Sequence, residues 1–165
     1  MLDGSGVKRR GFIDFDPGGN VIAHSIEIDR RPEDVFGYLD QVERHGEWQS
    51  QIVSTKVDTD GPVAVGTRVR EIRKVGGREQ DASYEITEHD PPRRTSFRGV
   101  VGPVRPVGTV TVEPVGDGSK SRVSIEFNLV GHGFGKLIAP LARMQARKSI
   151  AESQEQLKAK LEAGA

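Results

Sequence analysis

Apolar and polar positions alternate along most of this chain, then change period near its C-terminus. Over 21–29, Ile22, His24, Ile26 and Ile28 fall on one side, the two-residue period of a half-buried strand. Arg31-Pro32-Glu33-Asp34 then opens a helix, with Pro early and two carboxylates in the first turn, where the helix dipole favours them. Val35, Phe36 and Leu39 form its apolar face, and 42–48 predicts a second short helix interrupted at Gly46. Runs bounded by Gly and Pro follow at 52–58, 67–75, 78–89, 93–101, 107–115 and 121–130, each read as a strand. Gly76-Gly77 is a two-residue hairpin signal, and Asp90-Pro91-Pro92-Arg93 and Gly116-Asp117-Gly118-Ser119 mark further turns. From Phe134 to Leu161 the pattern is helical, with Pro140 marking either a kink or the true first turn. One strand, two short helices, six strands joined by short turns and a long helix predict an α+β fold with an antiparallel meander.

The faces of these elements carry the first functional clue. In the last helix the positions at steps of three and four are mainly small: Ala139, Ala142 and Ala146, then Ile150, Ser153, Leu157 and Leu161. Such a face either packs very close to its sheet or leaves space for a ligand. Alternation places Val123, Ile125, Phe127 and Leu129 inward on the last strand, and Val110 and Val112 on the strand before it. It adds Thr95 and Phe97, Tyr84 and Ile86, and Val69. These residues are core at the least. As a set they predict an internal apolar cavity suited to an apolar ligand.

Composition narrows the classes. The 165 residues fit one domain; 24 basic and 24 acidic residues balance to zero, without the basic excess of a nucleic-acid binder. There is no cysteine, which excludes disulfides and thiolate chemistry. The four His are scattered without metal spacing, and neither a metal nor a cofactor is expected. No apolar run reaches the ~20 residues of a membrane span, and Lys8, Arg9 and Arg10 have no apolar segment behind them, so a cytoplasmic protein is expected. Residues 1–20, broken by glycines, read as a flexible extension in which Phe12, Ile13 and Phe15 offer one docking strand; the domain is expected over 21–162. Lys136, Arg143, Arg147 and Lys148 raise a membrane-surface reading, but Glu152, Glu155 and Glu162 follow, so a solvated face is the better account.

The segments IEIDRRPEDVFGYLDQVERHGEWQ, VGTRVREIRKVGGR, YEITEHDPPRRTSFRG, GTVTVEPVGDGSKSRVSIEF and GKLIAPLARMQARKSIAESQEQLKAKLE, in this order, resemble the polyketide cyclase/dehydrase and lipid-transport family of the START-like (SRPBCC) superfamily. The resemblance covers roughly 21–161. It implies the helix-grip fold of the major birch pollen allergen: a curved antiparallel sheet of about seven strands around a long C-terminal helix, with two short helices after the first strand. It implies an apolar cavity between sheet and helix, and members that are cyclases, dehydratases or lipid carriers.

Candidate residues follow from both readings. Trp48 either closes the cavity mouth, where the resemblance often places a Trp, or plugs the helix pair onto the sheet. Val69, Tyr84, Phe97, Val110, Val112, Ile125, Phe127, Phe134, Ala142 and Ala146 are expected to contact the ligand, Phe134 from within the Gly131–Gly135 loop. That loop's three glycines suggest flexible joints at a gate. His24, Glu71 and Tyr84 are the candidate acid/base groups. Glu71 and Arg73 share Val69's face, as an ion pair inside the cavity or a solvated strand end, whereas His45, His89 and His132 read as exposed. The expected function is binding of a hydrophobic small molecule or lipid, as monomer or homodimer, with no nucleic acid. The alternative is a cyclase or dehydratase acting on an aromatic-polyketide-like substrate.

Overall fold

The computed structural model describes residues 20–165. The segment 1–19, with Phe12, Ile13 and Phe15, lies outside the described residues. The elements run β1 (Ile22–Ile28), α1 (Pro32–Leu39), a 3-10 helix (Val42–Glu47), β2 (Ile52–Val57), β3 (Arg68–Val75), β4 (Arg78–Asp81), β5 (Tyr84–Asp90), β6 (Arg94–Gly99), β7 (Val104–Val115), β8 (Lys120–Gly131) and α2 (Gly135–Glu162). All pairings are antiparallel, in the order β1-β8-β7-β6-β5-β3-β2, with β4 on β3. This is the expected α+β helix-grip architecture, a curled sheet holding one long helix.

Two details of the sheet bear on the site. Gly76 and Gly77 both adopt positive φ, 58° and 79°, as a tight hairpin turn between twisted strands requires. The run expected as one strand over 78–89 is divided at Ala82-Ser83. There Asp81 Oδ1 accepts both the Ser83 N–H (2.8 Å) and its hydroxyl (2.5 Å), a local side-chain turn that competes with the ladder. The break lies opposite Glu71, whose carbonyl takes the Ala82 N–H at 2.8 Å and whose N–H donates to Ser83 Oγ at 3.3 Å.

The core closes at one end of α2. Leu157 and Leu161 bury against Ile28, Val35, Phe36, Val112 and Val123, with Trp48 in the same cluster. Burial of this kind contributes ~1.5–3 kcal/mol per large aliphatic side chain. A second cluster, Val42, Val69, Tyr84 and Ile86 with Phe97 against it, packs inside the β3/β5/β6 part of the sheet. Along the N-terminal half of α2 the packing is looser. Ala139 is buried, but Ala142, Ala146 and Ile150 are half-buried, and so are Val110, Ile125, Phe127 and Leu129 on the sheet. Pro140 sits inside α2 rather than at its first turn, and the helix runs on through it.

Candidate functional site

Under the N-terminal half of α2, half-buried Val110, Ile125, Phe127 and Leu129 on the sheet and half-buried Ala142, Ala146 and Ile150 on the helix mark a partly solvent-reached apolar strip, the candidate groove. Two other concavities, about 440 and 590 Å³, lie elsewhere: one beside α1 at Arg30, Glu33 and Gln41, the other at Arg93, Thr111 and Pro114.

A polar constellation stands on the inner wall, with Arg73 at its hub. Alternation on β3 turns Val69, Glu71 and Arg73 to one side, and the 3-10 helix and its exit bring Gln49 onto Arg73 and His45 close enough to feel its charge. Arg73 Nε donates to Glu71 Oε1, and Arg73 Nη2 donates to Gln49 Oε1 at 2.7 Å. Glu71 is 2% exposed and its second oxygen, Oε2, is buried without a hydrogen bond, as is Trp48 Nε1. An unpaired buried polar atom costs about 1–3 kcal/mol, so both are places where a bound molecule would be stabilised.

Burial raises the Glu71 carboxyl, and the Arg73 guanidinium pulls it back only in part. Burial, with the Glu71 charge beside it, pushes the Tyr84 phenol well above its usual range against a smaller lowering by Arg73. His45 is lowered to about 4, chiefly by burial; the bond of its Nε2 to Leu39 O (2.7 Å) opposes this, and the Arg73 charge adds to it. A neutral His45 therefore donates through Nε2–H and leaves Nδ1 a bare acceptor. Its ring meets Trp48 edge-on at 5.4 Å, and Tyr84 lies 5.7 Å from Phe97. Three titratable groups, Glu71, Tyr84 and His45, thus surround one guanidinium.

The family model for polyketide cyclase / dehydrase and lipid transport matches residues 21–162. The chain belongs to this family. Solved structures similar to it share the fold. A protein of Thermus thermophilus has 21% identity and TM-score 0.73, over 88% of this chain and 99% of that one. The Zhui aromatase/cyclase from a Streptomyces species has 12% identity and TM-score 0.72, over 85% and 92%. A START superfamily protein from Mycobacterium smegmatis has 12% identity and TM-score 0.69, over 87% and 99%. No curated protein matches the chain.

Within this family fold the sequence-predicted residues divide into groups. Val69, Tyr84 and Phe97 come together in the second cluster, beside Glu71 and Arg73. Val110, Ile125 and Phe127 share one face of the β7/β8 ladder and, like Ala142 and Ala146 on α2, are half-buried. Val112, 1% exposed, belongs to the closed core instead. Phe134 is 71% exposed at the start of α2, outside the groove. Trp48, 7% exposed, is a buried plug and not an open rim. His24 lies on β1, separated from β3 by four strands in the sheet order, and its Nδ1 meets Gln154 Oε1 of α2 at 2.5 Å rather than a carboxylate.

Several expectations are corrected. His89 is 11% exposed, not on the surface, because it pairs with Asp40 at 2.9 Å. His45 is drawn inward by its Leu39 bond, whereas His132 is exposed as expected. The Gly131–Gly135 loop is not three flexible joints. Only Gly133 has positive φ, while a Cβ on Gly135 would lie 1.8 Å from Pro103 O and one on Gly131 2.6 Å from Gly135 O. Those two glycines serve close backbone approach. Gln49 and Gln154 had no signal beyond their neighbours, Trp48 for the first and the small-residue helix face for the second.

Proposed function

We propose that this protein binds a hydrophobic small molecule or lipid along the groove beneath α2, with the ligand's polar end on Arg73. The apolar body lies on Phe97, Val110, Ile125 and Phe127, under Ala142 and Ala146. The observation that carries the reading is the buried, unpartnered oxygen Glu71 Oε2 beside Arg73, next to the apolar side chains of Val69, Tyr84 and Phe97. A ligand hydroxyl reaching Glu71 would donate to its free oxygen, and a carbonyl would accept from the Arg73 guanidinium. Mass spectrometry of ligand retained by the purified protein tests this reading, with Arg73→Met expected to lose the ligand and His24→Ala to keep it. Retention unchanged in Arg73→Met would refute the assignment.

A second reading, cyclase or dehydratase action on an aromatic-polyketide-like substrate, is favoured by the perturbed groups around Arg73. A carboxylate whose pKa is raised is a better base near neutrality. Glu71 takes a proton from the carbon between two carbonyls, and Arg73 stabilises the enolate oxygen. That carbon then attacks a third carbonyl of the same chain and Glu71 returns the proton to the alkoxide formed. Glu71 next takes the remaining proton of the attacking carbon, the C=C bond forms, and the hydroxyl leaves with that proton as water. The Zhui protein, similar in fold, is an aromatase/cyclase. Turnover of a model poly-β-ketone by the parent and its loss in Glu71→Gln, with binding intact, would establish this reading over simple carriage. No turnover in either would leave carriage alone.

A further inference from the structure

We infer that the outward face of the N-terminal half of α2 is a docking surface for an anionic lipid bilayer. Leu137 is 84% exposed and Leu141, Met144 and Phe134 are exposed beside it. At positions i, i+3, i+7 and i+10 they form one continuous apolar stripe on the side of the helix opposite Ala139, Ala142 and Ala146. Val101 extends it at the same end of the molecule, on the loop whose Pro103 carbonyl accepts the His132 N–H at 2.7 Å. Single apolar residues on a surface are ordinary, but a contiguous stripe of this size marks a contact.

Charge selects the occupant. From Gly131 to Ala151 the chain holds Lys136, Arg143, Arg147 and Lys148 and no acidic residue; the first is Glu152. The acidic residues that favoured a solvated face in the sequence therefore all lie beyond the stripe. Arg143 is drawn toward β8 by bonds to Asn128 Oδ1 (3.2 Å) and Leu129 O (2.8 Å), while Lys136 and Lys148 are exposed. A second copy seated on this face would set its exposed Lys136 and Lys148 against the same cations. An anionic bilayer offers both what the cations attract and an apolar phase for Leu137 and Leu141, the arrangement of a helix lying in a membrane interface. Among the described residues no helix is long and apolar enough to cross a membrane, so the contact is one of docking. This inference stands apart from the ligand reading.

The test is sedimentation of the full chain with vesicles of equal phosphatidylglycerol and phosphatidylcholine, and with phosphatidylcholine alone. Binding is expected on the anionic vesicles, severalfold weaker in 0.5 M salt. Leu137→Glu/Leu141→Glu should weaken it at least tenfold, and Lys136→Ala/Lys148→Ala severalfold, all with unchanged thermal melts because these side chains are exposed. The chain lacks cysteine, so Met144→Cys takes a single environment-sensitive dye whose emission should rise and shift to the blue with anionic vesicles. No binding by the parent, equal binding to neutral vesicles, or full binding by the double Glu variant would overturn the proposal. So would a dye already blue-shifted without vesicles and unmoved by them. That outcome means the face is covered by residues 1–19 in a monomer, or by a second copy if light scattering reports a dimer.

Discussion

Replacing Arg73 by Met isolates the electrostatics of the groove. The aliphatic stem remains and the cation goes, leaving Glu71 buried at 2% exposure with no opposite charge hydrogen-bonded to it. Removing one partner of a buried pair costs about 3–5 kcal/mol when the other must stay charged. Arg73 keeps 29% of its side chain exposed, so water already screens the pair and the cost falls somewhat below that range, to about 2–3 kcal/mol at pH 8. Glu71 can also escape by taking a proton. Its folded pKa is already raised above the ordinary value of 4.5, and loss of Arg73, the group that lowers it, raises it further.

The pH dependence follows in sign. Between its unfolded and folded pKa values the native state holds a proton on Glu71 that the unfolded chain releases, so stability falls as pH rises through that window. In Arg73→Met the window extends upward. The destabilisation should therefore shrink toward about 1 kcal/mol at pH 5, the residue of the lost bond to Gln49. A difference of ~1.4 kcal/mol between pH 5 and pH 8 corresponds to one added pKa unit. Urea melts at half-unit pH intervals read this directly. Glu71→Gln placed on Arg73→Met should restore most of the loss at pH 8 and little at pH 5. A destabilisation by Arg73→Met that is flat with pH, or no recovery in the double variant, would show that Glu71 is not the charge Arg73 compensates.

Three further outcomes are expected. Ala146→Phe, on the half-buried helix face, should leave the melting temperature nearly unchanged and abolish displacement of a groove-bound dye; in a filled core the same change would overpack by ~1–3 kcal/mol. Trp48, the sole tryptophan, should change its emission when a ligand accepts a bond from Nε1, and an unaltered spectrum with confirmed binding would place the ligand elsewhere. Gly135→Ala, whose Cβ would fall 1.8 Å from Pro103 O, should cost at least ~2 kcal/mol in denaturant melts, against roughly 1 kcal/mol of backbone strain for Gly133→Ala, where φ is +57° and no atom lies within 4 Å.

The alternation of Ile22, Ile26 and Ile28, and of Val123, Ile125 and Phe127, was enough to set strand faces, because a two-residue period allows only two. The same rule put Glu71 and Arg73 together before any coordinates. The break at Ala82-Ser83 was hidden, since Asp81 reads as an ordinary polar strand residue until its carboxylate is seen closing a turn on Ser83. Glycine was ambiguous for a related reason: one letter serves both the turning of Gly133 and the close approach of Gly135 to Pro103. His45 and His89 were misplaced because their partners, Leu39 O and Asp40, are supplied by the tertiary fold. Periodicity says which way a side chain points and nothing of how far the opposite element stands away, so an open groove and a sealed cavity looked alike.

The two halves of α2 explain how one helix can hold the fold and still leave a groove. Leu157 and Leu161, on the inward face, lock the C-terminal half onto β1, β7, β8 and α1. Ala139, Ala142 and Ala146 continue that face toward the N-terminus with a fraction of the side-chain volume, so the grip loosens without a change of helical phase. The locked half secures the helix against the sheet, which permits the other half to leave Ile125 and Phe127 half-covered and to turn Leu137 and Leu141 outward. Stability and binding are then separable along a single element. Substitutions at Leu157 or Leu161 should act on folding by the few kcal/mol of a large-to-small core change, and those at Ala142 or Ala146 on ligand uptake. A helix packed evenly along its length would couple the two, because filling the groove would then overpack the core.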